Sequence, residues 1–336
     1  MVVTLTAHEQ KVLSYVQSDW RLDVPEIARA TGLRPHSVSY ALKRLKDKKI
    51  MRRFVMYNIH ALGLTDYCVF FNVQGSGKRI RDSVIAYANE STQTTYVAEL
   101  SGRYQYSASI MATSIFEVEA FFDGLAKRLE QPSLDLSFGI RAQWSIFPIK
   151  YLDPIARKLA PVTRTKSAQQ AAIDAVDNKL LTELSRNPEI SWSKLAGAVG
   201  IPYSTIRYRL DSLVKRGIII GFPHAIDGAR IGRHPFRVLI VARGISSSFR
   251  KELFAFAASH NMCTMFVRCL GAWDFELNYD LEELSQGGEM VQELYDNFAP
   301  YIQSTTTVTE LRVIKAHDWP SRTEVMMAAP PREGTR

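Results

Sequence analysis

The chain has 336 residues, 46% of them hydrophobic, and a formal net charge of +8. No run of 18 apolar residues occurs, which excludes a membrane-spanning helix, and the first ten residues lack the charged and apolar segments of a secretory signal. Three cysteines without a Cys-x-x-Cys pair (Cys68, Cys263 and Cys269) point to a reducing, cytoplasmic compartment and away from disulfides or structural zinc.

In chain order, residues 6–16 read as a first helix, with Thr6 as N-cap and Glu9 at the capping-box spacing. Residues 24–31 form the second helix and residues 34–48 the third, which ends in the basic run KRLKDKK. A short helix, a glycine turn and a longer helix with a polar front is the helix-turn-helix plan, in which the last helix enters the DNA major groove. His36, Ser39, Tyr40 and Lys43 fall on the exposed face as candidate base contacts. Ser37, with Arg52 and Arg53 on a wing strand at 50–57, suits phosphate contacts.

From Gly63 onward the period changes. Strands at 67–73, 94–100, 104–111 and 138–149 alternate with helices at 79–89 and 114–129, giving a βαββαβ, ferredoxin-like module. Residues 151–172, with Pro154, Pro161 and several Ser/Thr, read as a linker with some helix, and the tail at 317–336 reads as disordered.

The chain then repeats itself. Shifting it by 168 residues lays 5–54 on 173–222 without a gap, with identities at packing positions and at the turn glycines Gly32 and Gly200. One residue further apart, Gly63 meets Gly232 and Gly102 meets Gly271. The second recognition helix buries Ile206, Leu210 and Leu213. Tyr203, Ser204, Thr205, Arg207, Tyr208 and Arg209 remain as DNA-contact candidates, Arg209 with a structural role equally open. Arg207 and Arg209 stand where the first copy has Ser39 and Ala41, which predicts different base preferences for the two heads. The expected class is α+β: winged helix-turn-helix domains at 1–60 and 173–234, and ferredoxin-like domains at 64–150 and 235–316.

Charge follows the same division. Residues 1–60 hold eleven Lys/Arg against five Asp/Glu and residues 173–234 nine against six, whereas 61–150 and 235–336 are mildly acidic. A polyanion is therefore expected on the helical heads. The dense run Lys43, Arg44, Lys46, Lys48, Lys49, Arg52 and Arg53 predicts that the first head supplies more of the phosphate-driven affinity.

A winged helix-turn-helix followed by βαββαβ resembles the Lrp/AsnC (feast/famine) family of transcription regulators. The second copy carries the family pattern at Asp174, Asp177, Lys194-Leu195-Ala196, Arg209, Gly217 and Gly271-Ala272-Trp273-Asp274-Phe275. In the first copy Ala41, Lys49 and Gln105 replace Arg209, Gly217 and Asp274. The resemblance implies double-stranded DNA as partner, an amino acid or similar effector near Gly102, Gly271 and Asp274, an intrachain pseudo-dimer and further homo-oligomerisation. For Asp274 a hairpin-capping role stands beside the effector role.

No phosphate-binding loop, His-Glu-x-x-His or Gly-x-Ser-x-Gly is present, and the seven histidines do not cluster at metal-ligand spacing. The sequence reading is accordingly of a regulator and not an enzyme, with no catalytic residue, cofactor or metal. The rival on the same fold is a siroheme decarboxylase, for which Arg52, Arg53, His60, His224 and His234 are the candidate ligands of an anionic tetrapyrrole. A third class is an amino-acid-binding adaptor with vestigial DNA heads.

Overall fold

The computed structural model describes residues 2–75, 77–131, 134–165, 171–317 and 319. The first head comprises α1 (Ala7–Val16), α2 (Val24–Thr31) and α3 (Pro35–Asp47). Thr6 and Asp23 each form a reciprocal capping box, with Glu9 and Glu26 respectively. Two otherwise orphaned N–H groups are thereby satisfied at each helix start. Gly32 closes α2 in the left-handed conformation, φ 67°. Val12, Leu13, Ile27, Val38 and Leu45 pack into the head's own core.

Two short strands follow, β1 (Met51–Arg53) and β2 (Met56–Tyr57). The first module runs β3 (Thr65–Asn72), α4 (Lys78–Glu90), β4 (Thr94–Gly102), β5 (Tyr106–Ala112), α5 (Ile115–Arg128) and β6 (Asp135–Ile146). The segment expected as a linker with some helix carries a 3-10 turn, Pro154–Lys158, and also a strand that was not expected, β7 (Val162–Thr165), paired antiparallel with β6.

The second head has α6 (Ala175–Arg186), α7 (Trp192–Val199) and α8 (Tyr203–Lys215), followed by β8 (Ile219–Gly221) and β9 (His224–Ile226). Its module runs β10 (His234–Ala242), α9 (Ser247–Ser259), β11 (Cys263–Gly271), β12 (Phe275–Leu281), α10 (Gly287–Phe298) and β13 (Ile302–Ala316). Lys49 sits at φ 54°, in the left-handed region that Gly217 occupies at φ 68° in the second copy. The turn is thus the same in both heads, and the lysine tolerates a backbone that glycine adopts without strain.

Each module has strand order 2-3-1-4, and the two join at both edges. β13 pairs with β4, and β6 pairs with β11, so eight strands close into a barrel with β7 as a ninth strand on β6. Closure removes the open edges that an isolated module would expose. Alternation along the strands sorts the side chains. Val69, Val97, Ala108 and Ile110 face α4 and α5, whereas Cys68, Phe70, Leu100, Leu239, Val267 and Trp273 meet inside the barrel.

The wing strand predicted at 50–57 does not form a hairpin of its own. β1 pairs with β9 of the other head, and β2 pairs with β8, so the two wings are exchanged crosswise. Glu189 fastens the heads further by accepting from Lys46 at 2.6 Å and from the Arg53 backbone at 3.1 Å. Trp20 stacks on Trp192 at a centroid distance of 5.8 Å. The beginning of the tail is also ordered, contrary to the sequence reading. Trp319 is buried against Tyr57, and its Nε1 donates to Thr182 Oγ1 at 3.3 Å. The rest of the expected disordered tail, from Pro320, lies outside the described residues.

Candidate functional site

The two recognition helices present their predicted fronts. With Val38, Ala41 and Leu45 turned inward on α3, the side chains of His36, Ser39, Tyr40 and Lys43 are exposed and Ser37 is half-buried. On α8, Ile206, Leu210 and Leu213 turn inward, Tyr203, Ser204, Arg207 and Tyr208 are exposed, and Thr205 is half-buried. Tyr40 and Tyr208, equivalent in the two copies, are 69% and 74% exposed, so no packing role accounts for these rings. Neither helix has a side-chain cap at its start. The first-turn N–H groups are therefore open to a phosphate.

Several basic residues expected at DNA are engaged elsewhere. Arg209 is clamped at 2.7 Å to both Asp174 and Asp177, with Arg216 adding a 3.3 Å contact to Asp177, so its role is structural. The first copy keeps this clamp in another form: Glu9, equivalent to Asp177, is held by Arg44, which supplies the charge that Ala41 lacks. The Arg53 guanidinium lies 4.6 Å over Trp20 and 3.9 Å from Glu189. Arg52 and Lys49, both exposed, also line a cavity. Lys43 and Lys46 pair with Asp47 and Glu189. Of the seven basic residues counted on the first head, Arg44 and Arg53 are thus tied into the head by Glu9, Trp20 and Glu189, whereas Lys43, Lys46, Lys48, Lys49 and Arg52 are exposed. Arg207, in contrast, makes no ion pair among the described residues.

The expected effector positions have structural explanations. Gly102 and Gly271 lie at the two seams of the barrel, opposite Val308 and Gly139. A Cβ at Gly102 would stand 2.9 Å from the Thr307 carbonyl oxygen, and one at Gly271 2.5 Å from that of Phe138. Both φ values, 107° and 145°, are also unfavourable to an L side chain. Asp274 Oδ2 accepts from the Ala242 N–H at 2.7 Å. Its counterpart Gln105 makes the same bond, Oε1 accepting from Val73 N–H at 2.8 Å. The Asp274 carboxylate thus ties the β11–β12 hairpin to the end of β10.

What the sequence reading did not locate is a cavity of about 720 Å³ between the barrel mouth and the exchanged wings. Its apolar wall includes Trp144, Phe147, Met265, Phe236 and Leu311, and its polar wall mixes Arg52, Arg141, Arg237, Arg312, His224 and His317 with the carboxylates of Asp66, Asp227, Glu276, Asp280 and Glu310. Buried donor atoms remain without a partner here, namely Arg141 Nε, Arg237 Nη1 and Tyr279 Oη, together with His317 Nδ1. Such orphans are costly unless something accepts from them.

Of the five tetrapyrrole candidates, the fold brings Arg52 and His224 to this cavity. Arg53, His60 and His234 do not line it. His224 Nδ1 is 2.9 Å from the Val16 carbonyl, which can only accept, so Nδ1 carries the proton and Nε2 is left as an acceptor. The available sequence signal for the others was a charge inside an apolar strand, as at Arg237 in FRVLIVA. Among the described residues no cluster of His, Cys, Asp and Glu is arranged to hold a metal ion, and no helix is long and apolar enough to cross a membrane.

Burial pushes His317 down to about 4, with Lys315 and Arg52 adding repulsion. The ring is neutral in the native state, whereas the unfolded chain protonates near pH ~6.5. Its contribution is therefore complete above about pH 6.5 and lost as pH falls towards 4. In denaturant titrations across that range, His317→Gln should flatten the acid limb by up to about 3 kcal/mol. An acid limb identical to wild type would rule the ring out.

The architecture defines the class: two helix-turn-helix heads on a barrel of two ferredoxin-like modules. Residues 173–220 match the winged helix-turn-helix DNA-binding family. The proline dehydrogenase transcriptional activator of Rhodobacter capsulatus is 22% identical over 152 residues, 44% of this chain and 97% of the relative. An uncharacterized HTH-type transcriptional regulator of Pyrococcus furiosus is 25% identical over 114 residues, 34% of this chain and 76% of the relative. The siroheme decarboxylase NirDL superposes with a TM-score of 0.60 over 95% of this chain and 96% of that one, at 11% identity. Its complex with an iron-uroporphyrin III analogue gives a TM-score of 0.59, with 93% and 94% covered.

The chain carries a winged helix-turn-helix DNA-binding segment at residues 173–220, within an architecture shared at the level of fold with NirDL. The reading of the sequence as a non-enzyme is corrected here. The single-copy regulators match part of the chain, whereas the architecture shared over nearly its whole length is that of an enzyme.

Proposed function

We propose that the chain is a sequence-specific DNA-binding transcription regulator whose two unlike heads read one operator. The observation that carries this is the pair of exposed fronts on α3 and α8, alike in Tyr40 and Tyr208 but differing at Ser39 against Arg207 and at Lys43 against Asp211. Identical heads would read a palindrome, and these fronts favour an asymmetric site. A small carboxylate effector, of which an amino acid is the simplest, would satisfy the unpartnered donors of the cavity, Arg141 Nε and Arg237 Nη1. The cavity roof includes Arg52 and Ala225 of the β1–β9 pair, only a few residues beyond the end of α3.

Gel-shift titration against the upstream DNA, at several salt concentrations and with candidate carboxylates, tests this reading. Salt-sensitive, sequence-dependent binding is expected, and binding that ignores sequence would remove it. Within it, Arg207→Ala should cost ~1–3 kcal/mol and relax the preference at one base pair, as loss of a bidentate base contact does. Selection from a randomised site checks both effects, and an unaltered preference would take Arg207 out of base readout.

A second reading is favoured by the same cavity. Its arginines suit the carboxylates of a tetrapyrrole, from which a decarboxylase releases carbon dioxide and returns a proton to carbon, and the unprotonated Nε2 of His224 could ligate the central iron. Incubation with an iron-uroporphyrin, followed by absorbance and mass, tests it. Loss of one carbon dioxide per reacting carboxyl supports the enzyme, and no spectral change on mixing counts against it.

A further inference from the structure

We propose that the charges at the module seams make each ferredoxin-like module select the other copy and reject its own kind, so that the chain forms mixed barrels only. Because the copies are related by a shift of 169 residues, each homotypic alternative can be written out position by position. At the β13–β4 seam Arg312 stands opposite Glu99, with Nε 2.9 Å from Oε2. At the β6–β11 seam the equivalent positions are Gln143 and Arg268, also opposite each other. Two second modules paired together would place Arg312 opposite Arg268 at both seams. Two first modules would place Glu99 opposite Gln143, losing Arg312 and keeping only Arg81 of its own module as a partner. Like charges directly opposed across strands are destabilising.

The barrel interior repeats the rule. The first half contributes Asp66 with Arg141 and Arg164, an excess of positive charge. The second contributes Arg237 with Glu276 and Glu310, an excess of negative charge. Arg141 reaches Glu276 across one seam at 3.9 Å, and Tyr96 donates to Glu310 across the other. In a pair of first modules Glu276 would be replaced by Ser107, and in a pair of second modules Tyr96 would be replaced by Met265. These groups are largely withdrawn from water, where an unbalanced charge is expensive. Neutrality inside the barrel is approached only when unlike halves meet.

The test uses the full-length protein, given a protease site between residues 165 and 171 and cut after folding. Unlabelled and heavy-isotope preparations are mixed, opened in mild denaturant and returned to buffer, and the pairs are weighed by native mass spectrometry. Only pairs of one first half with one second half are expected, scrambled between labels. Homotypic pairs at the statistical one-quarter each would overturn the proposal. Arg312→Glu gives a second arm, since the one change opposes Glu99 in the mixed pair and complements Arg268 in the homotypic one. It should shift the population at least several-fold towards second-half pairs, and an unchanged ratio would also overturn the proposal. If cut halves precipitate, the uncut Arg312→Glu chain is sedimented instead. A concentration-dependent dimer absent from wild type is then expected, and wild-type behaviour would refute the proposal.

Discussion

Replacing Arg164 with alanine should lower the unfolding free energy by about 3–5 kcal/mol, the range for stripping one partner from a buried ion pair. Arg164 leaves 2% of its side chain exposed and Asp66 1%, and Nη2 lies 2.6 Å from Oδ2. Its guanidinium also sits 4.9 Å over Trp144 and donates to the Tyr57 carbonyl at 3.4 Å. One residue of β7 thereby ties the inter-copy segment to the barrel and to the first wing. Arg141, 3.6 Å from Asp66, offsets part of the loss but already serves Glu276. If the cost comes from Asp66 left charged in a dry site, Asp66→Asn in the same chain should recover much of it, which a double-mutant cycle measures. A loss below about 1 kcal/mol, the scale of exposed pairs, would mean that water reaches the carboxylate.

The elements were legible where periodicity and caps agree. Thr6 with Glu9, the turn glycines Gly32 and Gly200, and the alternation from Tyr67 to Phe71 each act over a few residues, so local sequence determines them. Exchange of the wings was not legible. Met51–Arg53 has the same strand propensity whether its partner is β2 or β9, and pairing between strands some 170 residues apart leaves no local trace. The linker misled for a related reason: Val162–Thr165 is too short to announce a strand, and what holds it is Arg164 reaching Asp66. At the candidate site, exposure of α3 and α8 followed from helical spacing, but the partner of each arginine did not. Arg207 and Arg209 differ by two positions, and only the fold reveals that one is free and the other clamped by α6. The cavity was hidden because its walls come from both wings, both modules and the segment after β13.

Inserting five base pairs between the two half-sites of the operator should weaken binding by about 10²–10⁴-fold, the range that simultaneous engagement adds to single-site affinity. Half a helical turn carries the second half-site to the opposite face of the duplex. Independent heads on a flexible tether would follow it, and the ~20 residues at 151–172 would span ~70 Å if extended. The structure removes that freedom. β7 holds part of the tether on the barrel, the wings are exchanged through β1–β9 and β2–β8, and the Trp20 N–H donates to the Phe222 carbonyl at 2.8 Å. Releasing one head therefore means breaking both strand pairs, the Lys46–Glu189 bridge and the Trp20–Trp192 stack together. Heads joined this way read half-sites about one turn apart, ~34–36 Å, or a multiple of it. Ten inserted base pairs restore the face but lengthen the spacing, so partial recovery is expected, bounded by the bending that the DNA must supply. Gel-shift titration of operators with no, five and ten inserted base pairs decides it. Equal affinity for all three would mean that the heads bind one at a time and that the exchanged wings open in solution.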